Sequence, residues 1–246
     1  WGVLVKTTSG KLALCLLLLS PLITLACHRD STAQQTTYAP ATPFERTWAR
    51  TDLPVSLGAA ERTWIWGPEA ISGVLAEAYV DNAVGRRAVQ YYDKSRMEIN
   101  DPHADPDASW FVTNGLFVIE MLSGRVQVGD DTFVDAFPAS INVAGDPDDN
   151  ETATYATLAS LVDAAALEPG VIIDQRLQRD GIVTADPNLA EQGVRAAEYV
   201  PDTGHTVADP FWTFLQSSGT IWTDGDLTNG NLFQNPFYAT GFPVTE

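Results

Sequence analysis

Apolar and polar positions alternate along much of the first half of the chain and recur at helical spacing in parts of the second. Gly73 to Val80 and Arg87 to Ile99 have the period-2 character of half-buried strands, joined through the turn-rich Asp81-Asn82-Ala83-Val84-Gly85. In the second of these, Ala88, Gln90, Tyr92 and Lys94 fall on one face and Val89, Tyr91 and Asp93 on the other. Phe111 to Met121 and Arg125 to Val128 are predicted to form another strand pair across Leu122-Ser123-Gly124. Phe133 to Val143 would then close the sheet.

The pattern changes after Gly145-Asp146-Pro147-Asp148-Asp149-Asn150-Glu151, an acidic turn-forming cluster read as a boundary. Tyr155, Leu158, Leu161 and Val162 recur at helical spacing, and Glu168-Pro169-Gly170 ends that helix. Val171 to Leu177 is strand-like. Asp186-Pro187 opens a predicted helix to Ala197, and Asp209-Pro210 opens another over Phe211 to Gln216. From Ser217 the chain is turn-rich. The expected class is α+β, with an antiparallel β-rich module over 46–145. A mixed, helix-containing segment over 146–246 would end in the start of a truncated second module. The chain begins with Trp1 and ends at a turn before an expected strand, so a longer natural protein is expected.

The first residues carry an address. Lys6 and Lys11 precede an apolar run, Leu12 to Ala26, and no acidic residue occurs before Asp30. This is the pattern of a secretory signal peptide, here 1–26. The run is too short for the ~20 residues of a membrane span. Thr24-Leu25-Ala26-Cys27 resembles a bacterial lipobox, which makes Cys27 the expected lipidation site. Cleavage after Ala33, behind Ser31-Thr32-Ala33, is the alternative. Either way the only membrane contact expected is through the signal or a lipid anchor. Residues 27–45, rich in Thr, Ala, Gln and Pro, read as a flexible spacer. The two cysteines are Cys15 and Cys27, so the mature domain is expected to have no disulfide.

Composition adds two constraints. With 45% hydrophobic residues and seven tryptophans, the chain can bury a core. Its net charge is −18, and −20 once Lys6 and Lys11 are set aside. So acidic a surface opposes nucleic acid and anionic lipid, and suits solubility outside the cell.

No Gly-x-Ser-x-Gly elbow, phosphate loop or dinucleotide fingerprint occurs. His28, His103 and His205 lack zinc-ligand spacing, and His205 is expected to bond backbone near the aromatic helix. Asp101–Asp107, Asp146–Glu151 and Asp224–Asn231 read as ordinary turns rather than calcium loops. No metal or other cofactor is expected. Glu77, Asp93, Glu98 and Glu120 sit on predicted strands and are the least solvated carboxylates for any acid–base chemistry. Trp64 and Trp66 alternate, so on a strand they would share a face. With Tyr91 or Tyr92 they would form a stacking platform for sugar rings, core packing being the competing reading.

Two stretches carry a resemblance. Val89-Gln90-Tyr91-Tyr92-Asp93-Lys94-Ser95-Arg96-Met97-Glu98 resembles a strand of exported bacterial envelope proteins. Thr203-Gly204-His205-Thr206-Val207, Phe211-Trp212 and Gly241-Phe242-Pro243-Val244-Thr245-Glu246 are similar to the start of the same module and to the LGFP repeats of cell-wall-associated proteins. The resemblance implies envelope association and no reaction. The expected function is therefore non-catalytic binding or scaffolding at the cell surface, on cell-wall polysaccharide, outside the cytoplasmic membrane. A secreted hydrolase acting on envelope glycans or peptides through carboxylates is the alternative.

Overall fold

Eleven strands pair into five small antiparallel sheets in the computed structural model, which describes residues 38–93, 95–143 and 148–246. The predicted signal peptide and Cys27 lie outside the described residues. Helix α1 (Pro43–Thr51) starts within the predicted spacer. Thr42 and Glu45 form a capping box there, Pro43 occupies the first turn, and Phe44 is buried. The short α2 (Leu53–Ser56) follows through Asp52.

β1 (Leu75–Ala78), β2 (Arg86–Tyr91) and β3 (Arg96–Ile99) form a meander in that order; the single strand expected over Arg87–Ile99 instead turns back after Tyr91 and pairs with itself as β2 and β3. The next run departs from expectation. Instead of a strand over Phe111–Met121, the chain forms α3 (Phe117–Ser123), ended by Gly124 in the left-handed conformation at φ 68°. A short apolar run does not distinguish strand from helix by period alone. Here the helical choice turns Glu120 toward Arg96 and Arg87. β4 (Arg125–Gln127) pairs with β5 (Phe133–Asp135) rather than with the expected partner.

α4 (Tyr155–Leu158), capped by Thr154, continues into a 3-10 turn over 159–161, where a helix is predicted. β6 (Gln175–Leu177) and β7 (Val183–Ala185) form a hairpin. α5 (Pro187–Gln192) is shorter than predicted because Gly193 caps it at φ 69°. β8 (Ala196–Val200) and β9 (His205–Ala208) then pair, and β9 leads directly into α6 (Asp209–Leu215). The turn-rich tail is a regular hairpin of β10 (Ser218–Thr223) and β11 (Asp226–Asn231). Its two loop residues, Asp224 and Gly225, both have positive φ, which the right-handed strand twist favours.

The fold is thus mixed α+β, with helices in both halves. The core draws Phe44, Trp66, Tyr92, Met97 and Val112 together with Val200, Val207, Leu215, Ile221 and Phe233. Arg50 of α1 donates to the carbonyls of Asn231 and Leu232 at 2.8 and 2.9 Å. The segments on either side of the predicted boundary therefore share one core. Among the described residues no helix is long and apolar enough to cross a membrane.

Candidate functional site: an aromatic groove over a buried ion cluster

The β2–β3 register places Val89 opposite Glu98 and Tyr91 opposite Arg96. With a period of two, Arg87, Tyr91, Arg96 and Glu98 share one face of the meander, and Glu77 of β1 joins them opposite Arg87. α3 lies on this face and adds Glu120. Arg87 donates to Glu98 Oε2 at 3.0 Å and to Glu77 Oε2 at 3.3 Å. Arg96 holds Glu120 by two hydrogen bonds, 2.7 and 3.1 Å, and pairs with Glu98 Oε1. Arg87, Arg96, Glu98 and Glu120 are all buried. The Tyr91 hydroxyl donates to Glu77 Oε1 at 2.8 Å, and Phe117 covers the Arg96 guanidinium at 5.4 Å.

This environment splits the two buried carboxylates. Burial pushes Glu98 above the ordinary glutamate value, against the opposing pull of Arg96 and Arg87. Burial also pushes Glu120 upward, but hydrogen bonds and charge from Arg96, the Gln127 N–H and Arg87 together outweigh it, so Glu120 lies below that value. Both oxygens of each carboxylate accept from guanidinium groups or backbone. The arrangement suits holding α3 on the sheet rather than moving protons.

Above the cluster opens a groove of about 830 Å³. Trp64, Trp110, Phe117, Phe233, Phe237 and Phe242 supply aromatic wall. Glu98, Asn100, Thr113, Asn114 and Gln127 supply polar groups. The Asn100 Oδ1 is buried without a hydrogen-bond partner. Trp110 is 52% exposed and packs on Tyr238 with ring centroids 5.2 Å apart. Gly241, Phe242, Pro243 and Val244 form another part of the lining.

The predicted aromatic platform is not assembled as expected. Trp64 and Trp66 lie in a non-strand segment, because Asp52 accepts hydrogen bonds from the backbone N–H groups of Ile65, Trp66 and Gly67 at 2.7 to 3.0 Å. Trp66, 1% exposed, packs in the core against Tyr92, which is also buried. Tyr91 is half-buried over the ion cluster. Trp64 alone of the four lines the groove.

Of the expected carboxylates, Glu77, Glu98 and Glu120 meet, whereas exposed Asp93 lies in the β2–β3 connection. His205 is buried, with Nε2 2.8 Å from the Val162 carbonyl and Nδ1 3.6 Å from Glu246 Oε2. Sequence reasoning passed over Arg87, Arg96, Asp52 and Trp110. The available signal was two arginines inside a run predicted to be half buried; nine residues apart, they reach one face only because that run folds back into β2 and β3. Comparisons of the chain with family models, curated proteins and solved structures find no match.

Proposed function

We propose that the protein is a non-catalytic binding protein of the bacterial cell envelope and that the aromatic groove takes a glycan. The observation that carries this reading is that Trp64 and Trp110 line one groove with Asn100, Thr113 and Asn114. A sugar ring presents apolar C–H faces to aromatic rings and hydroxyls to amide and hydroxyl side chains, and this lining offers both. The Gly241-Phe242-Pro243 turn, which carries the resemblance to LGFP repeats, belongs to the same lining. The pattern of residues 1–26 and Cys27 supports export and lipid anchoring. The ion cluster beneath acts as a rigid floor.

The test is titration with soluble cell-wall glycan fragments, followed by tryptophan fluorescence and calorimetry. Trp110→Ala is expected to weaken binding by ~1–3 kcal/mol, a scale borrowed from bases stacking on aromatic side chains, with the melting temperature nearly unchanged. A lack of binding to any glycan fragment would remove this reading.

A further inference from the structure

A second cleft, of about 170 Å³, is built on α1. Pro43, Arg46, Thr47, Arg50 and Thr51 line it, at positions i, i+3, i+4, i+7 and i+8 of one helix face. A stripe with that spacing is ordinarily apolar where it faces the body of a protein. Here it sets two arginines and two threonines against an apolar wall that includes Phe111 and Phe233.

The chain has 32 acidic residues against 14 basic ones, yet neither arginine forms an ion pair with a described carboxylate. Asp107 also lines the cleft without pairing with either. Arg50 donates to the Asn231 and Leu232 carbonyls, and Arg46 to the Pro106 carbonyl at 3.4 Å. These acceptors are neutral, so both charges stand, and most of the N–H groups of the two forks are unused. Thr51 is 5% exposed, and its Oγ1 neighbours Asp52 without forming a hydrogen bond. The Asp52 carboxylate is taken instead by the N–H groups of residues 65–67. A buried hydroxyl left unpaired is costly, and an acceptor oxygen brought into the cleft would relieve it.

We infer that this cleft binds a short-chain organic carboxylate, its oxygens on Arg46 and Arg50 and its carbon chain on the apolar wall. Guanidinium forks match the paired oxygens of carboxylate and phosphate alike. The wall decides between them, because inorganic phosphate has no apolar surface to bury there. Size sets the chain length. A cavity of ~150 Å³ admits benzene, so the cleft has room for an acid of about six non-hydrogen atoms. The site stands apart from the glycan reading, since the lining of the aromatic groove holds no arginine or lysine among the described residues.

The experiment is calorimetric titration of the purified protein with sodium butyrate, butyramide and sodium phosphate. Butyrate is expected to saturate at millimolar concentration or below. Butyramide, of the same shape without the charge, is expected to bind at least about tenfold more weakly. Arg46→Ala, at an exposed position, is expected to raise the butyrate dissociation constant about tenfold, with an unchanged circular dichroism spectrum. Arg50→Lys keeps the charge but loses the fork, and is expected to weaken butyrate as well. Should Arg50→Lys fail to fold, Arg46→Ala decides. The absence of saturable butyrate binding overturns the inference. So does equal binding of butyramide, saturation by phosphate but not butyrate, or wild-type butyrate affinity in Arg46→Ala.

Discussion

Gly115 approaches Glu98 so closely that a Cβ on Gly115 would lie 2.2 Å from the Glu98 Oε1 atom. Gly115 also has φ +64°, a conformation that costs side-chain-bearing residues energy. The turn that launches α3 is thus fitted against a carboxylate that two buried arginines hold in place. Gly115→Ala is expected to destabilise the protein by at least about 2 kcal/mol, from backbone strain and displacement of Glu98. Urea unfolding would measure it. Since Gly115 lines the groove, ligand affinity is expected to fall with it.

Arg96 ties together the two buried carboxylates, Glu98 and Glu120. Arg96→Met would leave them facing each other with Arg87 as the remaining buried cation. A loss of about 3–5 kcal/mol is expected. A stability close to wild type in chemical denaturation would show that the cluster does not hold α3 on the sheet.

The cluster also sets a pH dependence. Glu120 lies below its ordinary value of 4.5, so the folded state binds its proton less tightly than the unfolded chain does. Its contribution is complete above that value and is lost as pH falls below it. Glu98 and Asp52, both raised chiefly by burial, act with the opposite sign. Their contributions are present below the ordinary carboxylate values and fade as pH rises through the raised ones. Glu120→Gln is therefore expected to flatten the fall in melting temperature below pH 4.5, measured against the wild-type curve.

Asp52 is fully buried and accepts from three consecutive backbone N–H groups at residues 65–67. Asp52→Ala would strand all three. A loss of at least about 3 kcal/mol is expected, since hydrogen bonds to a charged group contribute about 1.5–3 kcal/mol each. The same change would release Trp64, so tryptophan emission should shift even in the folded protein.

Trp66 and Trp64 are expected to separate stability from binding. Trp66→Ala removes a fully buried indole and should cost about 3–5 kcal/mol. Trp64→Ala should mainly lower glycan affinity. Thermal melts beside binding titrations would distinguish the two, and equal effects on stability would contradict the assignment of Trp64 to the groove.

Local signals determined much of this protein. Strand alternation in β1 and β2, the proline-opened helices α5 and α6, and the helical spacing from Tyr155 were legible because each depends on neighbours within a few residues; the reversal after Tyr91 that makes β3 a separate strand was not. Of the four carboxylates expected on strands, Glu98 is buried in β3 and Glu77 half-buried in β1, whereas Glu120 is buried on a helix and Asp93 is exposed. Tertiary structure decided the rest. Phe117–Ser123 became a helix where its apolar run equally suited a strand, with Glu120 turned onto Arg96 and Arg87 of the sheet. Trp64 and Trp66 parted company because Asp52, more than ten residues earlier, fixed the backbone from Ile65 to Gly67. The groove draws its lining from segments as far apart as Trp64 and Val244. Periodicity reports which side of an element is buried, whereas a binding surface depends on which distant elements are brought to it.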